Sequence, residues 1–144
     1  MNKQPNILVV DDEEGTCDSL YYILKDEGYE ITTKKSGEEA LKSMQYVDFD
    51  IVLTDIRMEN MDGIQLLDNI KSSSPKTEVI LITASPSLET SLPAARKGAF
   101  SYITKPINVE QLNHTIKKAL EWRELVKENE ALKKQIELMK KKPI

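Results

Sequence analysis

Residues 51–55 read Ile51-Val52-Leu53-Thr54-Asp55: three apolar residues, then a hydroxyl and an acid. The apolar part is continuous rather than alternating, and two of its three residues are β-branched. A strand with one face in water alternates; a strand buried on both faces of a parallel sheet does not. Three other runs share the pattern: Ile7-Leu8-Val9-Val10, Val79-Ile80-Leu81-Ile82 and the weaker Tyr102-Ile103. A fifth, more polar run, Glu30-Ile31-Thr32-Thr33, predicts an edge strand.

Helical patterns fall between these runs. Cys17, Leu20 and Leu24 mark the first. Cys17 is the only cysteine, which excludes an internal disulfide framework, and on this helix face it reads as a small core hydrophobe. Ser36 opens the second helix, with Glu39 three residues on as a capping box. Asp62 caps the third, followed by Ile64, Leu67 and Ile70. Leu88, Leu92, Ala95 and Ala99 suggest a fourth, which Pro93 either starts late or kinks, since an interior proline costs ~3 kcal/mol. Asn108 with Gln111 opens the fifth. The alternation predicts an α/β fold: a flavodoxin-like (βα)5 three-layer sandwich around a parallel sheet of order 2-1-3-4-5.

In such a sheet, ligands bind beyond the carboxyl ends of the strands. The first strand here ends in Asp11-Asp12, the third in Thr54-Asp55, the fourth in Thr83 and the fifth in Thr104-Lys105-Pro106. With strands one, three, four and five adjacent, Asp11, Asp12, Asp55, Thr83 and Lys105 converge. Three clustered carboxylates repel one another and call for a cation. Hard oxygen ligands suit Mg²⁺, which favours a few carboxylates plus phosphate. Lys105 adds a mobile positive charge and Thr83 a hydroxyl donor. Around a central Asp55 this is equipment for in-line phosphoryl transfer, with Asp55 as nucleophile. Helix capping accounts for Glu13 and Glu14, but not for an acid pair, an acid, a hydroxyl and a lysine at four strand ends.

The motifs Val9-Val10-Asp11-Asp12-Glu13, Thr54-Asp55-Ile56-Arg57-Met58 followed by Met61-Asp62-Gly63, Ile82-Thr83-Ala84, Lys97-Gly98-Ala99 and Tyr102-Ile103-Thr104-Lys105-Pro106 span residues 6–116. This segment resembles the receiver domain of two-component response regulators. The resemblance implies that Asp55 takes phosphate from a sensor histidine kinase. It implies a Mg²⁺ site of Asp12, Asp55 and the backbone carbonyl of Arg57, with Asp11 acting mainly through water. Lys105 would contact the phosphoryl group, Thr83 would close on it, and Tyr102 would swing inward as the switch. On its residues alone, Tyr102 reads as strand packing. Arg57 and Ser85 would flank the pocket, and the peptide before Pro106 is cis in relatives. Glu59 stands where many relatives carry proline, which puts the rigidity of that loop in doubt. His114, the only histidine, reads as an exposed helix residue.

Residues 108–142 contain no Gly or Pro, enough for a helix of ~50 Å at 1.5 Å per residue. Leu112, Ile116 and Ala119 can cover the sheet; the remainder is expected to run beyond the domain's reach. Trp122, Asn129 and Ile136 fall at heptad position a, and Leu125, Leu132 and Met139 at d. Glu128 at g and Lys133 at the next e can bridge chains. A single Asn at a favours a two-stranded coil in one register. Trp122 could instead pack on its own domain. These residues divide the chain into a phosphoacceptor domain, 1–120, and a coiled-coil dimerisation linker, 121–144. The extended helix with Glu-Asn-Glu-Ala-Leu resembles the receivers of NtrC-like sigma-54-dependent activators. The resemblance implies output ATPase and DNA-binding domains in the full-length protein.

Bulk properties agree. Forty per cent of the 144 residues are apolar and 31 % are charged. No apolar run approaches the ~20 residues that span a bilayer, and residues 1–4 carry no signal pattern, so the expected home is the cytoplasm. Residues 117–144 hold nine Lys or Arg against five Glu, a net of +4; against a total of −4, residues 1–116 carry −8. An acidic body argues against direct nucleic-acid binding. The basic tail reads as a solvated helix face.

Competing functions are a signalling switch, a stand-alone phosphorelay protein and a phosphatase of the haloacid dehalogenase type. The last also uses a nucleophilic Asp, and Asp48-Phe49-Asp50-Ile51-Val52 fits its pattern. There, however, the acids should follow a strand; here they precede one.

Overall fold

The computed structural model describes residues 4–85, 87 and 93–141. Five strands, β1 (Asn6–Val10), β2 (Glu30–Lys34), β3 (Ile51–Asp55), β4 (Glu78–Thr83) and β5 (Ser101–Thr104), form one sheet. All pairs are parallel, and the order is β2-β1-β3-β4-β5. This is the expected flavodoxin-like order. The register sets Val10 beside Thr54, Asp55 beside Ile82 and Thr83 beside Thr104. The polar strand ends therefore share one edge.

Alternate strand residues fill two cores, as the pleat requires. Ile7, Val9, Leu53, Ile80, Ile82 and Ile103 pack with Leu20 and Leu24 of α1 (Glu14–Asp26) and with Leu112, Ile116 and Ala119 of α4 (Val109–Lys141). Leu8, Val10, Val52, Val79 and Leu81 pack with Ala40 of α2 (Gly37–Met44) and with Leu66, Leu67 and Ile70 of α3 (Gly63–Ser73). Because both faces are covered, β1, β3 and β4 carry no polar alternation. Burying each such side chain contributes ~1.5–3 kcal/mol.

The helix starts follow local chemistry. Ser36 Oγ accepts the Glu39 N–H. Asp62 accepts from Gln65 while the Gln65 side chain accepts from the Asp62 N–H, a complete capping box. Asn108 accepts the Gln111 N–H. The first helix departs from expectation. Glu13 occupies its cap position, but its side chain makes no cap hydrogen bond; instead the Glu13 N–H donates to Asp11 Oδ1 at 2.9 Å. Residues 93–96 form a helical turn, with the Pro93 carbonyl accepting from the Lys97 N–H. Leu88 and Leu92 of the expected fourth helix lie outside the described residues.

A second correction concerns α4. Its lower half was expected to leave the domain, yet Arg123 and Glu130 both reach back to it. Arg123 Nε donates to the Lys76 carbonyl at 2.7 Å, Arg123 Nη1 pairs with Asp50, and Glu130 pairs with Lys76 at 2.7 Å.

Candidate functional site

Asp11 directly follows β1, and Asp55 ends β3 beside it. Carboxylate oxygens of Asp11, Asp12 and Asp55 lie within 4.8 Å of one another. Lys105, just past β5, places its Nζ 3.3 Å from Asp11 and 3.5 Å from Asp55. The Lys105 N–H donates to the Thr83 carbonyl at 2.8 Å, which ties the lysine to the end of β4. The peptide bond between Lys105 and Pro106 is cis.

The three acids differ. Asp11 is buried, with one oxygen on the Glu13 N–H and the other facing Lys105. Asp12 is exposed, and Asp55 is partly buried. Burial and the nearby Asp11 charge raise the Asp55 carboxyl above its ordinary range; Lys105 and a hydrogen bond from the Arg57 backbone pull the other way without overcoming them. Burial works against the charge on Lys105, but Asp11 and Asp55 outweigh it and hold the ammonium above its usual range. One lysine therefore faces two carboxylates, with a third nearby. Such a set attracts a further cation of hard character.

Thr83 is buried, and its Oγ accepts the Ser85 N–H at 3.1 Å. Arg57 lines a shallow recess with Asp12, Ile56, Met58, Glu59 and Asp62 beside the acids. Tyr102 lies on β5 with 43 % of its surface exposed; here it points outward rather than filling the site. Trp122, Leu125, Asn129, Leu132, Ile136 and Met139 are all exposed along α4. Trp122 also borders a recess formed by Lys71, Glu78 and Phe100, so one side of its ring has a place on its own domain. Asp50 precedes β3 at the opposite edge of the sheet from Asp55, where it meets Arg123 and accepts the Asn6 N–H.

Two contributors, Gly63 and Asn60, act through their backbone and escape a search for side-chain chemistry. Gly63 opens α3 against the backbone of β3: its N–H donates to the Ile56 carbonyl at 2.8 Å, and a Cβ there would lie 2.3 Å from the Asp55 carbonyl oxygen. Asn60 adopts a left-handed φ of 67° in the loop between them, a conformation Asn tolerates better than most residues. The pair Asn60 and Gly63, flanking the Asp62 cap, is the available sequence signal.

The sequence profile of the response regulator receiver domain matches residues 7–117. The chain belongs to that family. The receiver is 41 % identical over 115 residues to the transcriptional regulatory protein ZraR of Escherichia coli strain K12; the match covers 80 % of this chain and 26 % of that protein. Its fold matches NtrX from Brucella abortus, crystallised with ADP, with a TM-score of 0.85 at 35 % identity, over 90 % of this chain and 30 % of NtrX. It also matches the beryllofluoride-activated NtrC4 receiver domain dimer, with a TM-score of 0.78 at 41 % identity, over 82 % of this chain and 98 % of that one. The receiver spans about a quarter of the length of the curated relatives it matches. The likeness to NtrC-like activators, first visible in α4, extends through the whole receiver. No helix among the described residues is long and apolar enough to cross a membrane.

Proposed function

We propose that this receiver accepts a phosphoryl group on Asp55 from a sensor histidine kinase and passes the signal through a homodimer to a downstream output. The observation that carries this reading is the placement of Asp11, Asp12 and Lys105 around Asp55. The output proposed is sigma-54-dependent transcription, executed by ATPase and DNA-binding domains of the full-length protein. The similarity to ZraR, a transcriptional regulatory protein, supports it.

The donor set fits Mg²⁺: three carboxylates, two facing a single lysine, supply hard oxygen ligands and excess negative charge. Asp12 and Asp55 would hold the ion, joined by the Arg57 backbone carbonyl. Asp11, whose two oxygens are already engaged, would act through water. When bound, the ion neutralises charge on phosphoryl oxygens.

An Asp55 oxygen forms the bond to phosphorus as the bond to the donor breaks, and the electron pair leaves with the donor. Lys105, already 3.5 Å from Asp55, faces a transferred oxygen and offsets its charge. Thr83 contributes its hydroxyl from the adjacent strand, and Tyr102 turns inward as the pocket closes. Phosphate adds charge and acceptor oxygens that bias this two-state element.

The dimer is proposed to form along the exposed heptad stripe of α4. The dimeric state of the NtrC4 receiver supports association within this fold. The same reading sets the chain in the cytoplasm, with no membrane contact and no direct grip on nucleic acid by this segment. A phosphatase using Asp48 and Asp50 is disfavoured, because Asp50 sits at the opposite sheet edge, paired with Arg123.

Mass spectrometry after treatment with a small phosphodonor and Mg²⁺ tests the proposal. One phosphoryl group on the wild type and none on Asp55→Asn is expected. Phosphate on another residue, or none on the wild type, overturns it.

A further inference from the structure

At the base of the sheet, opposite the acidic site, α4 is fastened to its own receiver. The fastening is built on a fixed platform. Asp50 accepts the Asn6 N–H at 2.8 Å through Oδ2, leaving Oδ1 for Arg123. The Asp50 N–H donates to the Asn6 carbonyl, and its own carbonyl accepts from the Glu78 N–H. The turn that carries Lys76 is held from both sides. Thr77 Oγ donates to the Phe49 carbonyl at 2.8 Å, and Lys71 Nζ donates to the Thr77 carbonyl at 2.8 Å.

Arg123 enters this platform as a fork. One arm meets Asp50 and another the Lys76 carbonyl, and only 12 % of its side chain remains exposed. A guanidinium so covered is costly to hold without its partner. Seven residues on, Glu130 takes the Lys76 ammonium. Val126 lies between them, lining the same small recess as Arg123 and Glu130.

The two faces of α4 can be compared by rotation. At ~100° per residue, Leu112, Ile116, Ala119, Arg123 and Glu130 cluster on one side. The exposed stripe of Trp122, Leu125, Asn129, Leu132, Ile136 and Met139 centres about 140° away. Trp122 at the head of the stripe still borders its own receiver; from Leu125 onward the stripe and the receiver's grip occupy different faces.

We propose that Arg123 is a positioning residue for the dimer: held by Asp50 and the Lys76 carbonyl, it sets the rotational phase of α4 so that the stripe turns away from its own receiver toward a second copy of this chain. The assignment rests on the dimer reading above, but the latch can be tested inside one chain. A loose helix would let the two receivers of a dimer adopt many orientations. A latched helix permits one.

The test is a spin-label distance distribution within one chain. Labels go on Tyr22→Cys and Leu138→Cys, both exposed positions off the stripe and the latch, in a Cys17→Ser background. Labelled chains are diluted with unlabelled ones so that only intrachain distances are read. Arg123→Gln is expected to at least double the width of the distribution, while far-UV circular dichroism keeps α4 helical. Arg123→Lys, which keeps the charge but loses the fork, is expected to fall between. It is decisive if Arg123→Gln fails to fold. A folded Arg123→Gln, or a folded Arg123→Lys in its absence, with the wild-type width overturns the latch. Sedimentation of the unlabelled wild type separates the two claims: a single-copy mass defeats the dimer reading, while the intrachain width still judges the latch.

Discussion

The Cα of Gly63 lies so close to Asp55 that any Cβ placed on it would meet the Asp55 carbonyl oxygen at 2.3 Å and the Ile56 Cα at 2.8 Å. The obstacle is backbone, which cannot swing aside as a side chain can. The start of α3 is thus seated directly on the residue proposed to carry phosphate.

Gly63→Ala is expected to destabilise the fold by ~1–3 kcal/mol, the usual cost of overpacking. It should also lower the yield of aspartyl phosphate among folded molecules, because the displaced backbone carries Asp55. Urea unfolding followed by phosphodonor labelling reads both. An alanine variant of wild-type stability would contradict the packing argument.

Asp55→Asn is expected to raise the thermal midpoint of the metal-free protein at neutral pH. The sign follows from the raised Asp55 carboxyl, which burial and Asp11 cause. A carboxyl whose folded value exceeds its unfolded one binds its proton more tightly when folded, so its ionisation weakens the fold above that range. The deficit is fully present above the folded value and shrinks as pH falls through it. Mg²⁺ is expected to raise the midpoint of the wild type and to do so far less for Asp55→Asn. Thermal scans with and without the ion measure both effects.

Replacing Lys105 separates cation binding from transfer. Lys105→Gln removes the one positive charge that, among the described residues, pairs with Asp11 and Asp55. Mg²⁺ is expected to bind the variant at least as tightly, while phosphorylation by a small donor slows by tenfold or more, a change of about 1.4 kcal/mol in barrier. The raised lysine also bears on alkaline stability. Its contribution is complete below the unfolded lysine value and is lost only as pH climbs through the higher folded one. Alkaline unfolding of the wild type should therefore lose stability in that range, and the variant should not share that loss.

Leu132→Glu and Ile136→Glu place charges on an exposed stripe that makes no core contact. Each is expected to leave the thermal midpoint of the receiver nearly unchanged and to convert a sedimenting dimer to a single copy. A dimer that survives both changes would move the interface elsewhere.

Strands β1, β3 and β4 were legible because they are buried on both faces, so unbroken Ile, Leu and Val runs identify them without alternation; the more exposed β2 and β5 gave weaker signals. Strand order then brought Asp11, Asp12, Asp55 and Lys105 together on paper, since polar residues at parallel strand ends share one edge. The grip of α4 was not legible. Arg123 and Glu130 stand among many charges on a helix that reads as solvated, and their partners Asp50 and Lys76 lie 73 and 54 positions earlier, with no local pattern linking them. Glu13 misled for a different reason: an acid before a helix reads as a cap, but its carboxylate accepts from the Thr16 hydroxyl rather than from a first-turn N–H. Gly63 matched a motif, yet its physical role needs the distance to Asp55, which no one-dimensional pattern carries.

The tie between Lys76 and Glu130 bears on how this receiver could be fused to a foreign output. A joint made just after Ala119, where the buried stripe of α4 stops, would look safe by burial alone. It would strip Asp50 of the guanidinium that offsets its charge and leave the base of β3 electrically uncovered. A graft spliced beyond Glu130 keeps the receiver's own ballast.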